Sequence, residues 1–139
     1  MAENKIRLSI IIVAIIGEAV SLYLTVLHLS GQLPPCGSGG CAIVQSSSWS
    51  ELAGIPIAAF GVGAYGLIII AAIIRGPLAS MIGLIIAFAG LLFSAYLKYL
   101  EIFQIGAICQ WCLVSTVAIV ICFLLSLARF RITENYETK

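Results

Sequence analysis

Four long stretches almost free of charge constrain this chain more than any other feature. Residues 8–27 hold one charged side chain, Glu18, and residues 52–74, 76–97 and 102–128 hold none. Each reaches the roughly 20 residues that a helix needs to cross about 30 Å of hydrocarbon. The stretches are solid apolar runs without two-residue alternation, which argues against a barrel. The pattern predicts an all-α integral membrane protein, a four-transmembrane-helix bundle with spans at about 7–28, 56–74, 78–100 and 107–128. The first run is longer than a typical signal-peptide core and lacks a small-residue cleavage site, so it reads as a span.

Composition agrees. The chain is 62% hydrophobic and 9% charged, against roughly 25% charged in an ordinary soluble domain. A soluble globular domain and a disordered chain are excluded. A net charge of +1 supplies no basic field for nucleic acid. Its 139 residues leave no room beside the spans for a further catalytic domain of about 100 residues. A single membrane domain over residues 1–139 is expected.

The connections are unequal. Arg75-Gly76-Pro77 is a tight turn. A short link, residues 101–106, joins the third and fourth spans. Residues 29–55 form a long loop rich in Gly, Pro and Ser, and loops of that length tend to carry function. Lys5, Arg7, Arg75, Arg129, Arg131 and Lys139 all fall on one side of a four-span arrangement, with only Lys98 near the other. The positive-inside rule puts both termini in the cytoplasm and the long loop at the extracytoplasmic face of the cell membrane.

Four of the five cysteines then gather on the oxidising side, where disulfides persist. Cys36 and Cys41 bracket Gly37-Ser38-Gly39-Gly40 in the loop, which reads as a flexible, open and exchangeable ring. Cys109 and Cys112 enclose Gln110-Trp111 at the start of the fourth helix. A C-x-x-C on a first helical turn exposes its first sulfur to unpaired N–H groups and the positive end of the dipole, which favours a thiolate. An outer pair and a membrane-surface pair make a relay, with electrons entering at the loop and leaving within the bundle. Two bland alternatives stand beside it. The pairs are structural staples, which a membrane bundle does not need, or the four thiols bind zinc, with no histidine close in sequence. His28 reads as an interfacial side chain and Cys122 as a small buried hydrophobe.

At these residues the chain resembles the vitamin K epoxide reductase family, most closely its bacterial and archaeal members that make disulfides in exported proteins. The resemblance runs from Ser21-Leu22-Tyr23-Leu24 to the end of the fourth helix. It takes in the loop pair, Ser46-Ser47-Ser48-Trp49, Gly54-Ile55-Pro56-Ile57 with Gly61 and Tyr65, Tyr96-Leu97, and the C-x-x-C.

That resemblance implies a quinone-dependent thiol–disulfide oxidoreductase. A reduced thioredoxin-fold (DsbA-like) partner attacks the Cys36–Cys41 bridge at Cys36. Freed Cys41 attacks Cys109, and Cys112 is left to contact a quinone of the membrane pool, of ubiquinone or menaquinone type. Return of Cys109 onto Cys112 passes two electrons on. No metal is implied. Many relatives carry a fused thioredoxin-like domain, and its absence here implies a partner on a separate chain. Vertebrate members have an asparagine near the position of Ile57 and a tyrosine near Thr116. Their absence argues against the alternative reading, vitamin K epoxide reduction. The quinone contacts implied are Cys112, Ser47, Tyr65 and Trp49.

Some residues carry two readings. Ser47 supports a thiolate or the loop, and Ser48-Trp49-Ser50-Glu51 also fits a capping box. Trp49 and Trp111 are an interfacial aromatic belt, or Trp49 holds a lid over the bundle mouth. Glu18 moves protons during quinone reduction, or bonds to a neighbouring helix as a neutral acid. Ala59 with Gly63, and Ala79, Gly83 and Ala87, have the spacing that lets membrane helices approach closely.

Overall fold

A computed structural model describes residues 2–36 and 40–139. Helix α1 (Ala2–Leu29) leads into a cap made of a short helix α2 (Gly40–Ser46), one 3-10 turn (Ser48–Ser50) and two short strands, β1 (Glu51–Leu52) and β2 (Ile55–Pro56). Helices α3 (Ile57–Ile73), α4 (Pro77–Tyr99) and α5 (Gln110–Glu137) follow. A wide π-type turn, Leu100–Ile105, extends α4. Three helical segments, Ala2–Leu29, Pro77–Ile105 and Gln110–Glu137, are long and apolar enough to cross a membrane. The chain is thus an all-α membrane protein in its main architecture. Helix α3 is apolar but has 17 residues, a rise of about 25 Å.

Residue sizes are sorted as lipid solvation requires. Many buried positions hold small side chains, as at Ala14, Ala72 and Ala87, while Leu67, Ile70, Ile85 and Leu124 face outward. With no hydrophobic drive between helices in lipid, close packing of small residues holds them together. Helix α1 packs on α3 and α5, and α4 packs on the same two. The core they share includes Ile10, Tyr65, Ile68, Ile119 and Cys122. Cys122 is fully buried there, a small apolar filler.

The small-residue reading holds on α4 and fails on α3. Ala79 and Ala87 are buried, and Gly83 lies against Ala71. Gly63, however, is exposed, and a Cβ there would meet nothing within 4 Å. The close approaches to α1 come instead at Gly61, against Ser21, and at Tyr65, which lies over Gly17. The buried face of α3 runs through Tyr65, Ile68 and Ala72, offset from the Ala59–Gly63 stripe.

The basic end is built by two guanidinium groups. Arg7 donates to the carbonyls of Ala72 and Ile73, and Arg129 to those of Ala71 and Ile74, at 2.8 Å in both Arg129 bonds. These are carbonyls at the end of α3, which lack partners along the helix, and cations there also suit the dipole. Glu3 faces Arg129 at 3.6 Å. This docking carries α5 on to Glu137, well past the apolar run that set its predicted end.

The cap departs from the expected loop. Ala53 and Gly54 both have positive φ, 55° and 80°, which suits a two-residue hairpin turn. It pairs Glu51 with Pro56 and Leu52 with Ile55. The capping box is not formed: no side chain caps the Ser48–Ser50 turn, and the Glu51 carboxylate pairs with His28 Nε2 at 2.6 Å. His28 therefore ties the end of α1 to the hairpin.

Candidate functional site

Two sulfurs meet at the N-terminus of α5. Gly106, at φ 74°, ends the wide turn in a left-handed conformation, and the chain then runs to Cys109, the N-cap of α5. Cys109 Sγ accepts the Cys112 N–H at 3.2 Å. Cys41 Sγ accepts the Gln110 N–H at 3.3 Å. Both sulfurs therefore use N–H groups that have no partner within the helix. Cys41 and Cys109 are fully buried and pack in one cluster with Val44, with Cys36, Ile105 and Cys112 around it.

Cys36 and Cys41 are joined in a disulfide with a Cα–Cα distance of 6.1 Å, while Cys109, Cys112 and Cys122 carry free thiols. The open ring expected around the loop pair is corrected at one end: Cys36 is half-buried, but Cys41 is sealed. The cause is Gly40, which lies so close to the Ile108 carbonyl that a Cβ has no room. The glycine-rich centre of that ring, residues 37–39, lies outside the described residues. Trp111 holds the approach to Cys36. Its indole N–H donates to the Pro35 carbonyl at 3.1 Å, and its ring lies 5.2 Å from that of Tyr23.

Cys112 lies on the wall of a cavity of about 120 Å³ beneath the cap. Ser47, Trp49 and Tyr65 line the same cavity, as do Leu24, Phe60, Phe93 and Leu97. The polar groups among them are partly committed. Tyr65 donates its hydroxyl to the Ser115 carbonyl at 2.6 Å, and Ser47 donates to the Val44 carbonyl at 2.7 Å. Ser47 thus closes the end of α2. Trp49 joins the roof of the cavity while remaining 46% exposed, so it touches both the cavity and the outside.

Three lining residues were not singled out as site residues in the sequence. Gln45 Nε2 donates to Cys112 Sγ at 3.5 Å. Lys98 and Glu101 form an ion pair at 2.7 Å. Opposite charges three residues apart at the end of an apolar run were a readable hint of that pair. Gln45 was not readable, because it depends on α2, which was expected to be loop. Glu18 stands apart. It does not line the cavity, and its buried Oε2 has no hydrogen-bond partner among the described residues. No group of three His, Cys, Asp or Glu able to hold a metal occurs among the described residues.

The Cys112 thiol and backbone N–H both stabilise a thiolate at Cys109. Against the opposing effect of burial, they hold its pKa below that of an ordinary thiol. Cys109 therefore becomes a nucleophilic thiolate at a lower pH than a free cysteine does. Thiol–disulfide exchange at Cys109 in the reduced inner pair is expected to rise with pH and to level off before the ordinary thiol range is reached. A rate profile between acidic and mildly alkaline pH checks this, and a rise delayed to the ordinary thiol range contradicts it.

A family model described as "Vitamin K epoxide reductase family" matches residues 8–127 of the 139. With paired cysteines at one end of a mainly helical membrane fold, this chain belongs to the vitamin K epoxide reductase family of membrane oxidoreductases.

Proposed function

We propose that the chain is a quinone-dependent thiol–disulfide oxidoreductase that reoxidises a separate thioredoxin-fold protein and so drives disulfide formation in exported proteins. The reading takes α3 as a fourth span, both termini as cytoplasmic and the cysteines as extracytoplasmic. The observation that carries it is the meeting of Cys41 and Cys109 at one helix N-terminus, with Cys112 opening onto an apolar cavity.

The chemistry follows from the placement. Half-buried Cys36 is the reachable sulfur of the loop bridge, so the partner thiolate attacks there and Cys41 leaves. The N–H of Gln110 and the dipole of α5 favour that leaving thiolate. Cys41 attacks Cys109 of the inner bridge, freeing Cys112. The partner's second thiolate displaces Cys36, Cys36 returns to Cys41 and breaks the Cys41–Cys109 bond, and the released Cys109 closes on Cys112 as the electron pair passes to the acceptor. The partner loses two electrons and two protons, and a quinone gains both to become quinol. An apolar cavity beside a sulfur fits a quinone ring, and the quinone supplies a two-electron acceptor soluble in the bilayer.

The test is oxidation of a reduced thioredoxin-fold protein by the purified chain in detergent, with and without a short-chain ubiquinone or menadione. Turnover is expected to require quinone and to fall to background in Cys36→Ala. Turnover without quinone, or undiminished in Cys36→Ala, contradicts the reading.

A further inference from the structure

The cavity wall is apolar along most of its length, and its charged groups are Lys98 and Glu101 at the end of α4. Glu101 is only 3% exposed. A carboxylate so buried is costly unless paired, and Lys98 supplies the partner at 2.7 Å. That bond uses one of the three donors of an ammonium group. Among the described residues Lys98 makes no other hydrogen bond. Both charges lie close enough to Cys112 to act on it electrostatically.

Several polar donors that line the cavity are already engaged. The Tyr65 hydroxyl goes to the Ser115 carbonyl, that of Ser47 to the Val44 carbonyl, that of Thr116 to the Cys112 carbonyl, and the Gln45 amide to the Cys112 sulfur. Lys98 remains as the cation lining the cavity, with donors to spare. An electron pair arriving from Cys112 puts negative charge on an acceptor's oxygen in a largely apolar site. Fixed donors aimed at such charge contribute most in that setting.

We propose that Lys98 is a quinone-binding catalytic residue, its ammonium donating to a quinone oxygen, and that Glu101 is the positioning residue that holds it there. The proposal rests on the reading of the cavity as a quinone site. Two protons and two electrons pass from the partner dithiol to the quinone. Lys98 contributes hydrogen bonds and ends each cycle protonated, so the balance of the reaction is unchanged.

The experiment measures binding, separately from turnover. Menadione is titrated into the full chain in detergent, and quenching of Trp49 and Trp111 fluorescence is followed. 2-Methylnaphthalene, which has the ring system without the oxygens, is titrated in parallel and read by competition. Lys98→Met is expected to weaken menadione binding roughly 10- to 100-fold, the loss expected for a hydrogen bond to a charged group. Binding of 2-methylnaphthalene is expected to stay the same. Lys98→Arg is expected to restore part of the affinity, and Glu101→Gln to weaken it less than Lys98→Met. Since Lys98→Met leaves a buried carboxylate unpaired, Lys98→Met/Glu101→Leu removes both charges and is expected to show the same selective loss. Wild-type menadione affinity in that double variant overturns the proposal while leaving the function standing. An equal loss for both ligands assigns the pair to packing and overturns it too. No menadione binding by the wild type overturns the proposal together with the quinone reading.

Discussion

A chain carrying Cys36→Ala and Cys112→Ala is expected to form a Cys41–Cys109 bridge when treated with diamide, and to lose quinone-dependent turnover by roughly 1,000-fold or more. Each substitution removes the competing partner of one remaining sulfur. What is left is a pair fully buried in one cluster, with Cys41 Sγ on the Gln110 N–H and Cys109 Sγ on the Cys112 N–H. A backbone N–H survives alanine substitution, so the two sulfurs keep their shared helix end. Cys122 is a built-in control, because it packs in a separate cluster with Tyr65 and Ile68. Peptide mapping under non-reducing conditions reads the linkage. Two free thiols after oxidation, or a bridge to Cys122, would remove the central step of the relay.

The large features of the fold were legible because lipid imposes a coarse rule. An apolar run of some 20 residues has few ways to satisfy its backbone other than as a helix. Runs around Ile10–Leu24 or Ala118–Ser126 therefore announced α1 and α5 without help from packing. The ends were less legible. The tail of α5 is polar, and it is helical where Arg129 docks on the open carbonyls of α3. That contact joins residues 58 positions apart in sequence, which no local pattern reports.

The cysteines were visible by spacing, but their depth was not. Three glycines between Cys36 and Cys41 suggested looseness. One of them, Gly40, instead permits close contact with Ile108 and buries Cys41. Glycine allows both outcomes, and only the neighbour decides which applies. Lys98 suffered a similar ambiguity. Counted as a charge it helps to orient the chain, and only its bond to Glu101 and its place on the cavity wall that Cys112 shares give it a local role.

Gly40→Ala is expected to slow electron transfer from the loop pair to the inner pair by roughly 100-fold, the order of loss that a displacement of about 1 Å produces in a reacting pair. The added Cβ meets the Ile108 carbonyl oxygen, which is backbone and cannot rotate away. One side must move. Helix α2 has seven residues, whereas Ile108 adjoins Cys109, the N-cap of the 28-residue α5, which is locked to α3 by Arg129. The displacement therefore falls on α2 and carries Cys41 away from Cys109. The Cys36–Cys41 bridge itself is expected to survive, since it is a covalent bond within the loop, and non-reducing peptide mapping checks it. Gly63→Ala is the matched control: a Cβ there meets nothing within 4 Å, and transfer is expected to proceed at the wild-type rate. Rapid mixing of the oxidised chain with a dithiol, followed by quenching with an alkylating reagent, gives the rate for each variant. A Gly40→Ala chain as fast as wild type would mean that contact between α2 and the start of α5 does not limit the relay, and that Cys41 reaches Cys109 by a motion larger than the added methyl group.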